Sequence, residues 1–212
     1  MLQSELAGKV DTFTPLRAWR YVAAADVSYT RGDTQLYASI VVCDAQNELA
    51  EVERVGVVAP ITFPYVPGLL SFREAPPVLE AFRRLKTTPD VVLCDGQGLA
   101  HPRWFGLACH LGLWLQIPTI GCAKSRLYGT HEEPGLTRGS LCPLLHEEET
   151  IGTVVRTKNK VKPLFVSAGH KVTLDDAVAV VLATATRYRL PQPARLAHQA
   201  VNDLRGAKRE LY

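Results

Sequence analysis

Residues 21–58 read YVAAADVSYTRGDTQLYASIVVCDAQNELAEVERVGVV, and this stretch decides the fold class. It holds three strand-like runs, 21–28 (YVAAADVS), 35–43 (QLYASIVVC) and 49–58 (LAEVERVGVV). Two turn signals, Arg31-Gly32-Asp33 and Asp44-Ala45-Gln46-Asn47, separate them, which predicts an antiparallel meander. The middle run is apolar on both faces, as a central strand must be.

Working outward, a loop rich in Pro and Gly follows (Pro60, Pro64, Pro67, Gly68), and then the period changes. Val78, Phe82 and Leu85 recur at helical spacing, with Pro76 and Pro77 suited to a first turn, which predicts a helix over 76–86. Residues 90–94 (DVVLC) read as a short buried strand, 102–116 as a helix opened by Pro102, and 118–122 as another strand. Residues 128–149 read as loop, and strands are expected near 151–157 and 163–167. A capping box at Thr173-Leu-Asp-Asp176 predicts a helix start, and Pro193 opens a last helix with Leu196, Ala200, Val201 and Leu204 inward. The order is that of an α/β fold with a mixed central sheet flanked by helices. No repeat, linker or low-complexity tract divides it, so one domain over 1–212 is expected.

Composition excludes several classes. With 47% hydrophobic and 21% charged residues, the chain has the composition of an ordinary globular protein and is not disordered. No apolar run approaches the roughly 18 residues that cross a bilayer. The start, MLQSELAGKVD, lacks the apolar region of a secretory signal, so a cytoplasmic protein without membrane contact is expected. The five cysteines (Cys43, Cys94, Cys109, Cys122, Cys142) show no metal-binding spacing and read as reduced, mostly buried thiols. A net charge of +3, from 24 basic and 21 acidic residues, announces no partner.

Its placement does. From Gln97 to His131 there is no acidic residue, but there are Arg103, Lys124, Arg126 and three histidines. From Ile151 to Leu174 there is again none, with Arg156, Lys158, Lys160, Lys162 and Lys171. Such stretches suit a phosphate backbone or, equally for 158–162, a solvated loop. Against this stand carboxylates in unexpected places. Asp26 interrupts an apolar strand, where a carboxylate is costly to bury unpaired. Asp95 closes the buried strand VVLC, at the strand end where α/β sheets place ligands. Each alone reads as a turn or salt bridge, but two in one small sheet are harder to dismiss. Glu74 is either helix N-terminal charge or a third oxygen ligand for a hard cation. His198 shares a polar face of the last helix with Arg195, Asn202 and Arg205. His101 and His110 suit core or cap positions, and Tyr65, between Pro64 and Pro67, is held outward as a packing cap or a base-unstacking wedge.

These residues carry a resemblance. The segments ADVSYT (25–30), ITFPYVPGLLSFRE (61–74), PDVVLCDGQGLAHPRWFG (89–106), IPTIGCAKSRLYGT (117–130), PLFVSAGH (163–170) and ARLAHQ (194–199) closely resemble the endonuclease V family of deoxyinosine-directed repair nucleases. The resemblance implies a ribonuclease H-like fold with a mixed five-stranded sheet. It also implies cleavage of the second phosphodiester 3′ to hypoxanthine in DNA, leaving 3′-hydroxyl and 5′-phosphate ends. By motif match, Asp26, Asp95 and Glu74 would form the Mg²⁺ site, with Mn²⁺ able to substitute. His198 and Lys124 would join them in catalysis, Tyr65 would be the wedge, and Leu70, Gly96, Leu107, Gly121 and Leu127 would form the base pocket. His101 falls in the family's HPR segment as a further candidate. The expected partner is deoxyinosine-containing DNA, bound by a monomer. Inosine-containing RNA stays open as a substrate, and a non-cleaving inosine-binding module or a structural α/β protein leaves either the acids or the basic loops unexplained.

Overall fold

The computed structural model describes residues 2–30 and 32–209. Its centre is an eight-stranded sheet in the order β3-β2-β1-β4-β5-β8-β7-β6. Strands β1 (Tyr21–Ser28), β2 (Gln35–Asp44) and β3 (Ala50–Pro60) pair antiparallel as the meander their turns require. Strand β4 (Val91–Cys94) runs parallel to β1, and β5 (Thr119–Ala123) parallel to β4. The five strands β3-β2-β1-β4-β5 are the mixed sheet of a ribonuclease H-like fold. Strands β6 (Leu141–His146), β7 (Glu149–Val155) and β8 (Leu164–His170) extend it to eight, antiparallel throughout, which corrects the expected five.

Helices cover both faces. Helices α4 (Leu174–Thr184) and α5 (Gln192–Arg209) pack on one, against Val22, Ala24, Leu93 and Ile120. Helices α2 (Leu70–Arg83) and α3 (Leu107–Leu115) pack on the other, against Ala23, Ala25, Val92 and Cys94. Alternate residues of β1 and β4 thus feed opposite cores, and strands buried on both faces must be apolar throughout. A short α1 (Leu2–Ala7) precedes β1. Among the described residues no helix is long and apolar enough to cross a membrane.

Helix α4 starts as its capping box dictates, with Thr173 Oγ1 accepting from the Asp176 amide at 3.1 Å. Three elements differ from the sequence reading. Helix α2 begins at Leu70 rather than at 76, so Pro76 and Pro77 lie inside it. They leave the Phe72 and Arg73 carbonyls without helical N–H donors. The helix holds because Ser71, Glu74, Ala75, Val78 and Ala81 form one buried stripe through the proline pair, and tertiary burial overrides the local signal. Helix α3 starts at Leu107, not Pro102, because Trp104 sits at φ 55° and the Gly106 backbone is pressed on the Gln97–Gly98 backbone. Residues 141–146, read as loop, form the edge strand β6, whose Pro143 suppresses the strand signal but is tolerated at a sheet edge.

Candidate active site

Three parallel neighbours deliver the site at their carboxyl ends. Ala25 of β1 is in register with Cys94 of β4, and the Asp95 amide donates to the Ala25 carbonyl at 3.2 Å, so Asp95 emerges beside Asp26. Both acids continue the alternate positions that face α5, after Val22 and Ala24 on β1 and after Val91 and Leu93 on β4. Lys124 follows β5, and its Nζ donates to Asp95 Oδ2 at 2.5 Å.

The fourth and fifth groups come from the helices. His198 on α5 places Nδ1 2.7 Å from Asp26 Oδ2, while Asn202, one turn on, meets its Nε2 at 3.2 Å. Arg205 on the same face donates to Ser28 Oγ at 2.9 Å. This polar face therefore lies along the end of β1 instead of pointing only to water, and Ser39 Oγ on β2, donating to the Ala197 carbonyl at 2.7 Å, ties the helix there. Arg195 turns away and stacks 4.2 Å over the Tyr188 ring. Glu74 enters from α2, in the opposite layer, and reaches the strand ends because α2 starts early enough to carry it.

Electrostatics follow from this crowding. Glu74 is pushed up to about 8, first by burial and then by Asp26 and Asp95. Asp26 is raised by burial and by Asp95, against the opposing hydrogen bond from His198. Ligand atoms of Asp26, Asp95 and His198 lie within 4.8 Å of one another, a grouping that could hold a divalent cation; Glu74 stands outside it. Hard carboxylate oxygens crowded until one of them resists ionising are a donor set that a divalent cation fits.

Beside the acids opens a cleft of about 430 Å³. Glu74, Asp95 and Lys124 line it together with Tyr65, Leu70, Gly96, Leu107, Leu127 and His101. Tyr65 stands 62% exposed and Leu127 58%. Gly121 is not among the lining residues. It lies buried in β5, where a Cβ would come within 2.3 Å of the Gly98 nitrogen and 2.7 Å of the Gln97 carbonyl carbon, so it supports the Asp95–Gly98 turn from behind.

The loop carrying Tyr65 is fastened at Gly68, whose φ of +78° suits glycine. Its carbonyl accepts from Gln3 Nε2 at 3.1 Å and from Arg103 Nη1 at 3.2 Å, and the buried His101 ring bonds the same backbone. Gln3 also donates to the Phe105 carbonyl at 3.0 Å and accepts from Arg103 at 3.0 Å. His101 thus meets the cleft chiefly as an anchor of that loop. Sequence reasoning missed Gln3, for an amide near a chain start carries no local signal. It also missed Gln97, whose Nε2 donates to the Ser125 carbonyl at 3.2 Å and so links two cleft loops. Of the basic residues, Arg156 is buried and engaged with the Glu133 carboxylate and the Pro134, Gly135 and Val161 carbonyls, leaving Lys158, Lys160 and Lys162 exposed. His110 packs against Phe72 and Phe105 as a core histidine.

Comparison with known proteins adds a family. Residues 4–199 match the family model described as Endonuclease V. An Endonuclease V of Azotobacter vinelandii is 48% identical over 200 residues, covering 93% of this chain and 89% of the relative. The crystal structure of the Streptomyces avermitilis Endonuclease V superposes with a TM-score of 0.92 at 42% identity, covering 100% of this chain and 92% of that one. The Ciona intestinalis Endonuclease V, solved in complex with a 24mer DNA containing an inosine followed by a ribo-adenosine, superposes at 0.83 with 28% identity, covering 97% and 95%.

Proposed function

The chain belongs to the endonuclease V family and is a nuclease, and on that premise we propose that it is a DNA repair enzyme directed at deoxyinosine. It hydrolyses the second phosphodiester 3′ to the lesion: a water oxygen bonds to phosphorus, the P–O3′ bond breaks, and 3′-hydroxyl and 5′-phosphate ends result. The observation that carries this reading is the convergence of Asp26, Asp95, Glu74, His198 and Lys124 beside a cleft walled by an exposed tyrosine. A non-cleaving inosine binder has no use for such a carboxylate cluster.

Asp26 and Asp95 would hold Mg²⁺, or Mn²⁺ in its place, with Glu74 as the third acid of the site. The bound ion would supply charge for the phosphate oxygens and a more acidic water. Lys124 holds a charge against the scissile phosphate, and Asp95 keeps its ammonium aimed. His198 orients Asp26 through Nδ1 and, with half of its side chain in solvent, can pass a proton to bulk water. Burial and the two aspartates hold Glu74 up to about 8, and a cation bound beside it would favour its ionised form.

Specificity falls to the cleft. Tyr65 acts as the wedge that displaces the lesion base, and Leu70, Gly96, Leu107 and Leu127 accept it. Hypoxanthine presents an O6 acceptor and an N1–H donor. Gly96 lets main chain approach the base, so backbone amides and carbonyls of the cleft could read O6 and N1–H. Gly121 contributes by shaping the turn that carries Gly96. His101 contributes by holding the wedge loop. The enzyme would work as a monomeric single domain in the cytoplasm, consistent with five cysteines that are all free.

The test is cleavage of single-inosine DNA and RNA strands with Mg²⁺ and with EDTA. Magnesium-dependent nicking of the DNA strand on the 3′ side of inosine is expected. No nick in either strand would overturn the reading, and a nick in RNA alone would move the substrate to inosine-containing RNA.

A further inference from the structure

Tyr65 is the wall between two cavities. One is the catalytic cleft; the other, about 590 Å³, is lined by Tyr29, Gly32, Asp33, Ile61, Tyr65 and Arg73. The second holds none of the catalytic groups, and neither Tyr29 nor Arg73 has a role in the site described above. Yet both occur in the segments that carry the family resemblance, ADVSYT and SFRE.

Their geometry is that of a stacking platform. The Arg73 guanidinium lies 4.5 Å over the Tyr29 ring. Its Nη1 reaches the Phe63 carbonyl at 3.3 Å, while its buried Nε has no hydrogen-bond partner. A planar cation laid on an aromatic ring offers a surface for π-stacking. The rim argues for a neutral ligand. Asp33 lines the cavity, with its carboxylate accepting from the Thr30 amide at 2.5 Å. The Asp33 carboxylate offsets the Arg73 guanidinium, so the lining has no net positive charge to draw a phosphate, and an uncharged base suits it.

We propose that this cavity is a second nucleobase subsite, in which the base that loses its stacking neighbour when Tyr65 inserts at the lesion stacks on Tyr29 and Arg73. The subsite rests on the inosine-nuclease reading. Without it, the wedge would leave an unstacked base in water, at a cost of a few kcal/mol per step. With it, wedge insertion exchanges one stack for another. The base comes either from the nicked strand beside the lesion or from the opposite strand, and the same platform chemistry serves both.

The test puts 2-aminopurine, whose fluorescence is quenched by stacking, at the position next to inosine in a single strand, and opposite inosine in a duplex. Binding is followed in EDTA, so that no cleavage intervenes. With the wild-type protein, fluorescence stays low on binding at one of these positions. With Tyr29→Leu it rises several-fold there, and Tyr29→Phe, which keeps the ring, behaves as wild type. A signal confined to the single strand assigns the neighbouring base, and one confined to the duplex assigns the opposing base. If Tyr29→Leu binds inosine strands with the same fluorescence as wild type in both formats, the subsite is refuted while the nuclease reading stands. If the wild-type protein shows no preference for inosine strands, the nuclease reading fails and takes the subsite with it. Cleavage in Mg²⁺ gives an independent check: stacking of one base corresponds to about a tenfold or greater loss of kcat/KM in Tyr29→Leu. An unchanged value would count against the subsite.

Discussion

His198 Nδ1 lies 2.7 Å from Asp26 Oδ2, although 172 residues separate the two. The contact joins the last helix to the first strand, and it exists because Asp26 continues the apolar positions of β1 that face α5. A half-exposed imidazole bonded to a nearly buried carboxylate can orient that carboxylate and connect it to solvent. His198→Ala should therefore lower kcat on inosine DNA by about 10²- to 10⁴-fold, the range of lost acid–base catalysis, with Kd for the strand nearly unchanged. Single-turnover cleavage beside a gel-shift titration measures both, and normal turnover would exclude His198 from the chemistry.

Asp95→Asn removes a carboxylate oxygen from the cation site and the anionic partner of Lys124. Cleavage should fall by about 100-fold or more, the scale on which disturbed metal sites lose activity, while inosine-strand binding in EDTA persists. Raising Mg²⁺ or Mn²⁺ should restore part of the rate. Full activity at low metal would show that Asp95 holds no cation.

Gln3→Met keeps volume but removes the amide that links Gly68, Arg103 and Phe105. It should resemble Tyr65→Ala, weakening discrimination of inosine from adenine strands more than binding to undamaged DNA. A split in which KM for the inosine strand rises while kcat holds marks loop positioning. Equal losses on both strands would indicate that α1 only stabilises the fold.

Gly121→Ala distinguishes support from contact. The new Cβ would press on the Gly98 nitrogen at 2.3 Å, backbone that can only yield by moving the Asp95–Gly98 turn. Stability should drop by about 1–3 kcal/mol, the cost of overpacking, and kcat should fall with it. A variant of wild-type Tm that has lost only base discrimination would instead mean that Gly121 touches the base.

The buried histidines and the buried Glu74 should shift stability in opposite directions as pH falls, because burial lowers the first and raises the second. Burial depresses His110 from 6.5 to about 4, and lowers His101 and His170 in the same direction. Folded His110 therefore binds fewer protons than it does in the unfolded chain between these values. The stability His110 contributes is complete above about 6.5 and is lost as pH falls through 4, amounting to about 3 kcal/mol. Urea titrations at pH 7 and pH 4 on the wild type and on His110→Gln isolate it as the difference between the two proteins, since the opposing contribution of Glu74 is common to both; equal pH dependence in the two would show that His110 does not titrate in this range.

Much of this was legible in the chain itself. The meander over 21–58, the apolar strands ending in Asp26 and Asp95, and the Thr173 cap are local patterns, and local patterns survive into the fold. Helix α2 was legible in type but not in extent, because Pro76 and Pro77 signal a start while the buried stripe from Ser71 runs through them. Strand β6 was hidden by Pro143, whose missing donor matters little on an edge.

Residue chemistry and spacing by themselves determined which groups the protein has to work with and, through strand alternation, which face of the sheet the acids share. Only the tertiary structure decided what each group meets. Parallel pairing of β1 and β4 sets Asp26 beside Asp95, and the early start of α2 brings Glu74 in from the opposite layer. Gly121 ends behind the cleft instead of in it, and Gln3 closes the wedge loop from the far end of the chain. The reason is physical: side-chain pattern is a property of neighbouring residues, whereas burial, crowding of charge and hydrogen-bond partnership depend on contacts between residues that the chain separates by 65 or 172 positions.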